Sequence, residues 1–90
     1  MGIKIAIPSY LQSFANDTEV VEVNGSTVGE CLEHLIKQFP DIGKMLFAQN
    51  GKLLIYVGIY INGEDIYPDE LAKPVKDGDE LHIIYIIGGG

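Results

Sequence analysis

The segment Glu80 to Ile87 alternates Leu81, Ile83 and Tyr85 with His82, Ile84 and Ile86. Successive side chains of a strand point to opposite faces, so a strand here is apolar on both sides. Strands of that composition lie inside a sheet, because half-solvated strands alternate apolar with polar residues. This is also the last strand of a 90-residue sequence. It is therefore expected to return to the middle of the sheet, beside the first strand. One of its faces packs on a helix, and the other meets solvent or a partner.

Ile3-Lys4-Ile5-Ala6-Ile7 alternates with period two and stops at Pro8, which makes it that first strand. Ser9 to Asp17 reads as a loop, with Tyr10, Leu11 and Phe14 tucked against the core edge. Glu19 to Val23 is a second strand rich in β-branched residues, closed by Asn24-Gly25. Thr27-Val28-Gly29-Glu30 fits a capping box. The Thr27 hydroxyl accepts from the Glu30 amide, and the Glu30 carboxylate reaches back to the Thr27 amide. Val28, Leu32, Leu35, Ile36 and Phe39 then share one face of a helix of about three turns, ended by Pro40. Asp41 to Ala48 leaves room for a further short turn.

Leu53 to Val57 and Ile59 to Ile61 read as one strand interrupted at Gly58, where a bulge is expected. Asn62-Gly63 suits a tight hairpin into Glu64 to Tyr67. Pro68 to Val75 crosses irregularly with Leu71 as its core anchor, and Asp77-Gly78-Asp79 turns the chain into the last strand. The order strand, strand, helix, strand, strand, strand specifies one α+β domain. Its mixed sheet has about five strands, with one main helix packed on one face.

The sequence holds 13 acidic residues against 6 lysines and no arginine, a formal net charge of −7. Phosphate backbones and anionic lipids repel such a chain, which argues against nucleic-acid and membrane roles. The guanidinium fork that grips phosphate is missing as well. A partner with a basic docking surface suits this balance, and so does plain solubility. The single cysteine, Cys31, forms no internal disulfide and no zinc site by itself. Met1-Gly2-Ile3-Lys4 lacks the pattern of a signal peptide. The longest apolar run, Leu53 to Ile61, is far short of a membrane span. A soluble cytoplasmic domain is expected.

Directly after the last strand stand Gly88, Gly89 and Gly90. Glycine has no Cβ, so this backbone can enter a slot too narrow for any other residue. A carboxylate flanked only by hydrogens is also the least hindered acyl group a protein presents. Chemistry performed on that group by another enzyme is one reading, and an idle frayed tail is the other.

Several segments, taken in order, resemble the ThiS/MoaD ubiquitin-like sulfur-carrier family over nearly the whole length. They are the capped helix Thr27-Val28-Gly29-Glu30, the hairpin Ile59-Tyr60-Ile61-Asn62-Gly63-Glu64-Asp65, the turn Lys76-Asp77-Gly78-Asp79-Glu80, and the last strand running into glycines. Within that family, Ile7-Pro8-Ser9-Tyr10-Leu11 and Gly51-Lys52-Leu53 with Ile59-Tyr60-Ile61-Asn62 resemble the carrier used in protein-bound cysteine synthesis. The resemblance implies a β-grasp fold over residues 1–87 and a flexible glycine tail over 88–90. It implies that the Gly90 carboxylate is adenylated by an E1-like adenylyltransferase that uses ATP and magnesium. A desulfurase or sulfurtransferase then supplies sulfur, leaving a thiocarboxylate for an acceptor synthase.

On this reading the chain binds no cofactor of its own and is a protein co-substrate. Gly88 and Gly89 serve tail recognition, and Tyr60, His82, Ile84 and Ile86 dock the partner. Two departures stand out: a third glycine where members typically have a pair, and Tyr85-Ile86-Ile87 where many carry a proline. The resemblance also admits the molybdopterin synthase small subunit. A ubiquitin-like modifier, with Gly90 in an amide to a target lysine, needs the same tail. A plain interaction module with idle glycines is the reading from a different class.

Other chemistry-bearing residues have simpler roles. Cys31 precedes His34 by three positions and could neighbour it on the helix, but a lone helical cysteine beside an apolar stripe is usually a core residue. His82 reads as a partner contact, since two histidines without a third ligand make no zinc site. Asp65, Asp69, Glu70, Asp77, Asp79 and Glu80 crowd two turns without the spacing of a calcium loop. Solvated turns are expected there.

Overall fold

A computed structural model describes residues 2–86. Strand β1 (Ile3–Ala6) buries Ile3 and Ile5 and pairs antiparallel with β2 (Val20–Val23), Ile5 opposite Val21. The connection between them is helical where a loop was expected. It forms α1 (Ser9–Gln12) and then a 3-10 turn over Ser13–Ala15. Pro8 starts it in extended conformation, and the Leu11 N–H bonds the Pro8 carbonyl at 2.9 Å. Leu11 and Ala15, four residues apart, are both fully buried, whereas Phe14 keeps 38% of its surface exposed. That spacing of small and large apolar residues was the signal for the helical turns.

Helix α2 (Val28–Gln38) buries Val28, Cys31, Leu32 and Leu35 against the sheet. Half of the expected capping box is present: the Thr27 Oγ1 accepts from the Glu30 N–H at 3.2 Å. The Glu30 carboxylate reaches one residue farther than expected, accepting from the Ser26 N–H and hydroxyl, each at 2.8 Å. The neighbouring backbone is stitched to the later crossing instead. The Val28 N–H donates to the Lys73 carbonyl at 2.9 Å, and the Val75 N–H donates to the Ser26 carbonyl at 3.0 Å. Phe39 leaves the helix at φ −135°, ψ 80°, outside the helical region that a following proline disfavours. A 3-10 turn over Pro40–Ile42 and the short α3 (Gly43–Leu46) then bury Ile42 and Leu46.

Strand β3 (Val57–Ile61) is shorter than expected, because residues 54–56 bend and Leu53 makes only an isolated bridge to Phe47. No bulge interrupts it: Val57, Gly58 and Ile59 face Tyr85, Ile84 and Ile83 in unbroken register. Asn62 (φ 51°) and Gly63 (φ 88°) supply the two left-handed positions of the tight hairpin. The returning β4 (Glu64–Asp65) stops early, where Asp65 Oδ1 takes the Tyr67 N–H at 2.9 Å and turns the chain. A 3-10 turn over Glu70–Ala72 follows.

The last strand, β5 (Glu80–Tyr85), lies parallel to β1 and antiparallel to β3, giving the order β2-β1-β5-β3-β4. The architecture is the β-grasp: a mixed five-stranded sheet with α2 across one face. Among the described residues, no helix is long and apolar enough to cross a membrane.

Candidate functional site

Strand β5 turns Leu81 and Ile83 into the core and leaves His82 and Ile84 half-buried on the opposite face. In the β3–β5 register Tyr60 stands opposite His82, and Gly58 stands opposite Ile84. A Cβ on Gly58 would lie 3.1 Å from Ile86 Cδ1, so the missing side chain is what seats Ile86 there. Tyr60, His82, Ile84 and Ile86 are thus gathered on the open sheet face. A shallow depression of about 390 Å³ runs beside them, lined also by Ala6 and Pro8. His82 Nε2 is 3.5 Å from Glu80 Oε1, which adds a polar contact to a mainly apolar surface.

The chain leaves this sheet along a defined line. Tyr85, the last residue of β5, pairs with Val57. The Ile86 N–H then donates to the Tyr56 carbonyl at 2.6 Å, extending the ladder by one bond. The Tyr85 ring lies 5.0 Å from Tyr10 at 60° and 5.0 Å from Tyr56 at 65°, the tilted geometry aromatic quadrupoles favour. Burial first, then the neighbouring Tyr85 and Tyr56, push the Tyr10 phenol above its ordinary value. Its hydroxyl has no hydrogen-bond partner among the described residues.

The sequence does not announce this tyrosine cluster, because the expected loop over Ser9 to Asp17 and strand from Leu53 give Tyr10 and Tyr56 no common neighbour, whereas Tyr10 sits in α1 and Tyr56 in the turn before β3. Beside it opens a groove of about 630 Å³, lined by Leu54, Val57, Leu71 and Ile86 with Asp65, Asp69 and Glu70. Ile55, 95% exposed, and Tyr67, 76% exposed, also line it.

The remaining candidates fall into place individually. Cys31 is fully buried. Burial, and to a lesser degree the Glu30 carboxylate, push its thiol up to about 11. His34 is engaged elsewhere, its Nδ1 accepting the Asn24 N–H at 2.8 Å, so the structure records no Cys–His hydrogen bond. Asp79 is no solvated turn residue. Only 6% exposed, it accepts from Asn62 Nδ2 at 3.0 Å and from the Lys76 N–H at 2.9 Å. Those bonds, the Lys76 amide foremost, hold its carboxyl below the ordinary value. Among the described residues, no group of three or more His, Cys, Asp or Glu side chains could hold a metal ion. Gly88, Gly89 and Gly90 lie outside the described residues.

The sequence and the fold were compared with known proteins. The model of the ThiS family matches residues 5–90. Sulfur carrier protein CysO of Mycobacterium tuberculosis is 30% identical over 93 aligned residues, which cover 100% of both chains. The crystal structure of the Amycolatopsis orientalis BexX/CysO complex contains a chain that superposes with a TM-score of 0.88 at 30% identity. That match covers 99% of this chain and 100% of the other. Small archaeal modifier protein 1 of Haloferax volcanii is 31% identical over 71 residues, covering 78% of each chain.

Proposed function

The chain belongs to the ThiS family, and from that premise we propose that it is a sulfur carrier of the cysteine-forming type. It is a protein co-substrate and not an enzyme. The observation that carries this reading is the full-length likeness to a sulfur carrier in a chain whose central strand leads into Gly88-Gly89-Gly90.

The chemistry follows from what a carboxylate lacks. Oxide is a poor leaving group, so the Gly90 carboxylate must first be activated. Its oxygen attacks the α-phosphorus of ATP in an E1-like partner, and pyrophosphate leaves. The terminal sulfur of a persulfide on a donor protein then attacks the carbonyl carbon and AMP leaves, giving an acyl disulfide. A thiol then attacks the donor-side sulfur of that bond, forming a new disulfide with the donor cysteine and expelling the C-terminal thiocarboxylate. That group delivers its sulfur to the substrate of an acceptor synthase without releasing free sulfide. ATP and magnesium belong to the activating partner.

The chain's contribution is presentation. Gly88 and Gly89 pass through the narrow approach to the nucleotide, and the face bearing Tyr60, His82, Ile84 and Ile86 docks the partner. Its one thiol, buried and held protonated at neutral pH, supports a body that takes no part in the chemistry. Intact-protein mass spectrometry after co-expression with the native operon tests the reading. The expected product has one terminal oxygen exchanged for sulfur, and its absence despite an active adenylating enzyme counts against a carrier.

A second reading is favoured by the likeness to small archaeal modifier protein 1. There the activated Gly90 would end in an amide to a target lysine. Adducts that survive reducing agent distinguish this outcome from sulfur transfer.

A further inference from the structure

We propose that Tyr10, Tyr56 and Tyr85, with Gly58, form a positioning device that sets the direction in which the chain leaves β5. The inference rests on the sulfur-carrier reading and assigns it residues beyond the glycines and the docking face. Four contacts converge on two consecutive residues. The Tyr85 ring is held between Tyr10 and Tyr56, each 5.0 Å away. The Ile86 N–H is tied to the Tyr56 carbonyl. On the opposite sheet face, the Ile86 side chain rests in the space that the absent Gly58 side chain leaves.

Gly90 stands four residues beyond Ile86, so even a fully extended path carries it no more than about 14 Å from that anchor. Over so short a reach, the bearing of the last anchored residue decides which volume the carboxylate can sample. Reaction rates respond steeply to that, since misplacement by about 1 Å can cost roughly a hundredfold.

The cluster also explains two exposures that packing alone does not. Tyr85 and Tyr56 remain 45% and 40% exposed, so they contribute less to the core than to each other. Tyr10 bears a buried hydroxyl with no partner among the described residues, which costs stability. It is the Tyr10 ring that the arrangement uses.

The test compares Tyr85→Ala, Tyr85→Phe and Gly58→Val with wild type in two assays. The first is amide ¹⁵N relaxation of the isolated protein. The order parameter at Ile86 is expected to fall from about 0.85 to below about 0.6 in Tyr85→Ala and to be kept in Tyr85→Phe. The second is ATP–pyrophosphate exchange with the adenylating enzyme of the same genome. Tyr85→Ala is expected to lose roughly tenfold or more in kcat, with KM unchanged because Tyr85 lies on the face opposite the docking residues, and Tyr85→Phe is expected to keep the rate. Gly58→Val, whose side chain would displace Ile86 on the docking face, is expected to lower kcat and to raise KM as well. An Ile86 amide that stays rigid in Tyr85→Ala overturns the proposal, as does an unchanged kcat or a change confined to KM. Failure of wild type itself to support exchange counts instead against the sulfur-carrier reading, and the relaxation assay still decides whether the cluster holds the chain.

Discussion

Asp79 joins two turns that the sequence separates by many residues. One carboxylate oxygen takes the Asn62 amide and the other takes the Lys76 N–H, while Asn62 Oδ1 accepts the Glu80 N–H at 2.9 Å. Removing the carboxylate leaves both donors without their charged acceptor. Asp79→Ala is expected to cost about 2–4 kcal/mol in urea unfolding. Because the folded state holds this carboxyl below its ordinary 3.8, folding favours the ionised form. The stabilisation is complete above pH 3.8 and declines as pH falls towards the folded-state value. Asp79→Asn should flatten that acid limb in pH-dependent melts.

Cys31 gives a second residue-level expectation. With its thiol buried and pushed up to about 11, it should react with a thiol reagent at pH 8 only in denaturant. Fast labelling of the native protein would contradict this placement. Gly89 gives a third: Gly89→Val should abolish adenylation while leaving the melting temperature unchanged, since a side chain there would clash in the approach to the nucleotide. Normal pyrophosphate exchange by that variant rules out the narrow-slot account.

At the level of elements, the sequence was most legible where local chemistry and tertiary packing agree. The apolar stripe of α2, the Asn62-Gly63 hairpin and the alternation of β1 each imply their neighbours directly. Legibility failed where a distant contact decides the local shape. Glu30 reaches Ser26 in a segment whose backbone is already paired with residues 73–75, and nothing within Thr27 to Glu30 announces that partner. Gly58 suggests a bulge, yet its reason is Ile86, just past the end of β5. Asp79 read as one acid among several, because its partner Asn62 lies in another turn. The open sheet face bearing His82 and Ile84 follows from the parity of β5, whereas the tyrosine cluster does not, since it draws on three separate segments. Truncating a fully buried strand residue should show how much β5 contributes: Leu81→Ala is expected to destabilise by about 2–5 kcal/mol in chemical denaturation.

Among the described residues, β5 is the strand that touches both halves of the sheet, since β2-β1 lies on one side and β3-β4 on the other. On the ribosome the two hairpins emerge well before the piece that unites them, and neither can close a sheet alone. The two hairpins therefore stay separate fragments until β5 is made, and the sheet closes in one late step.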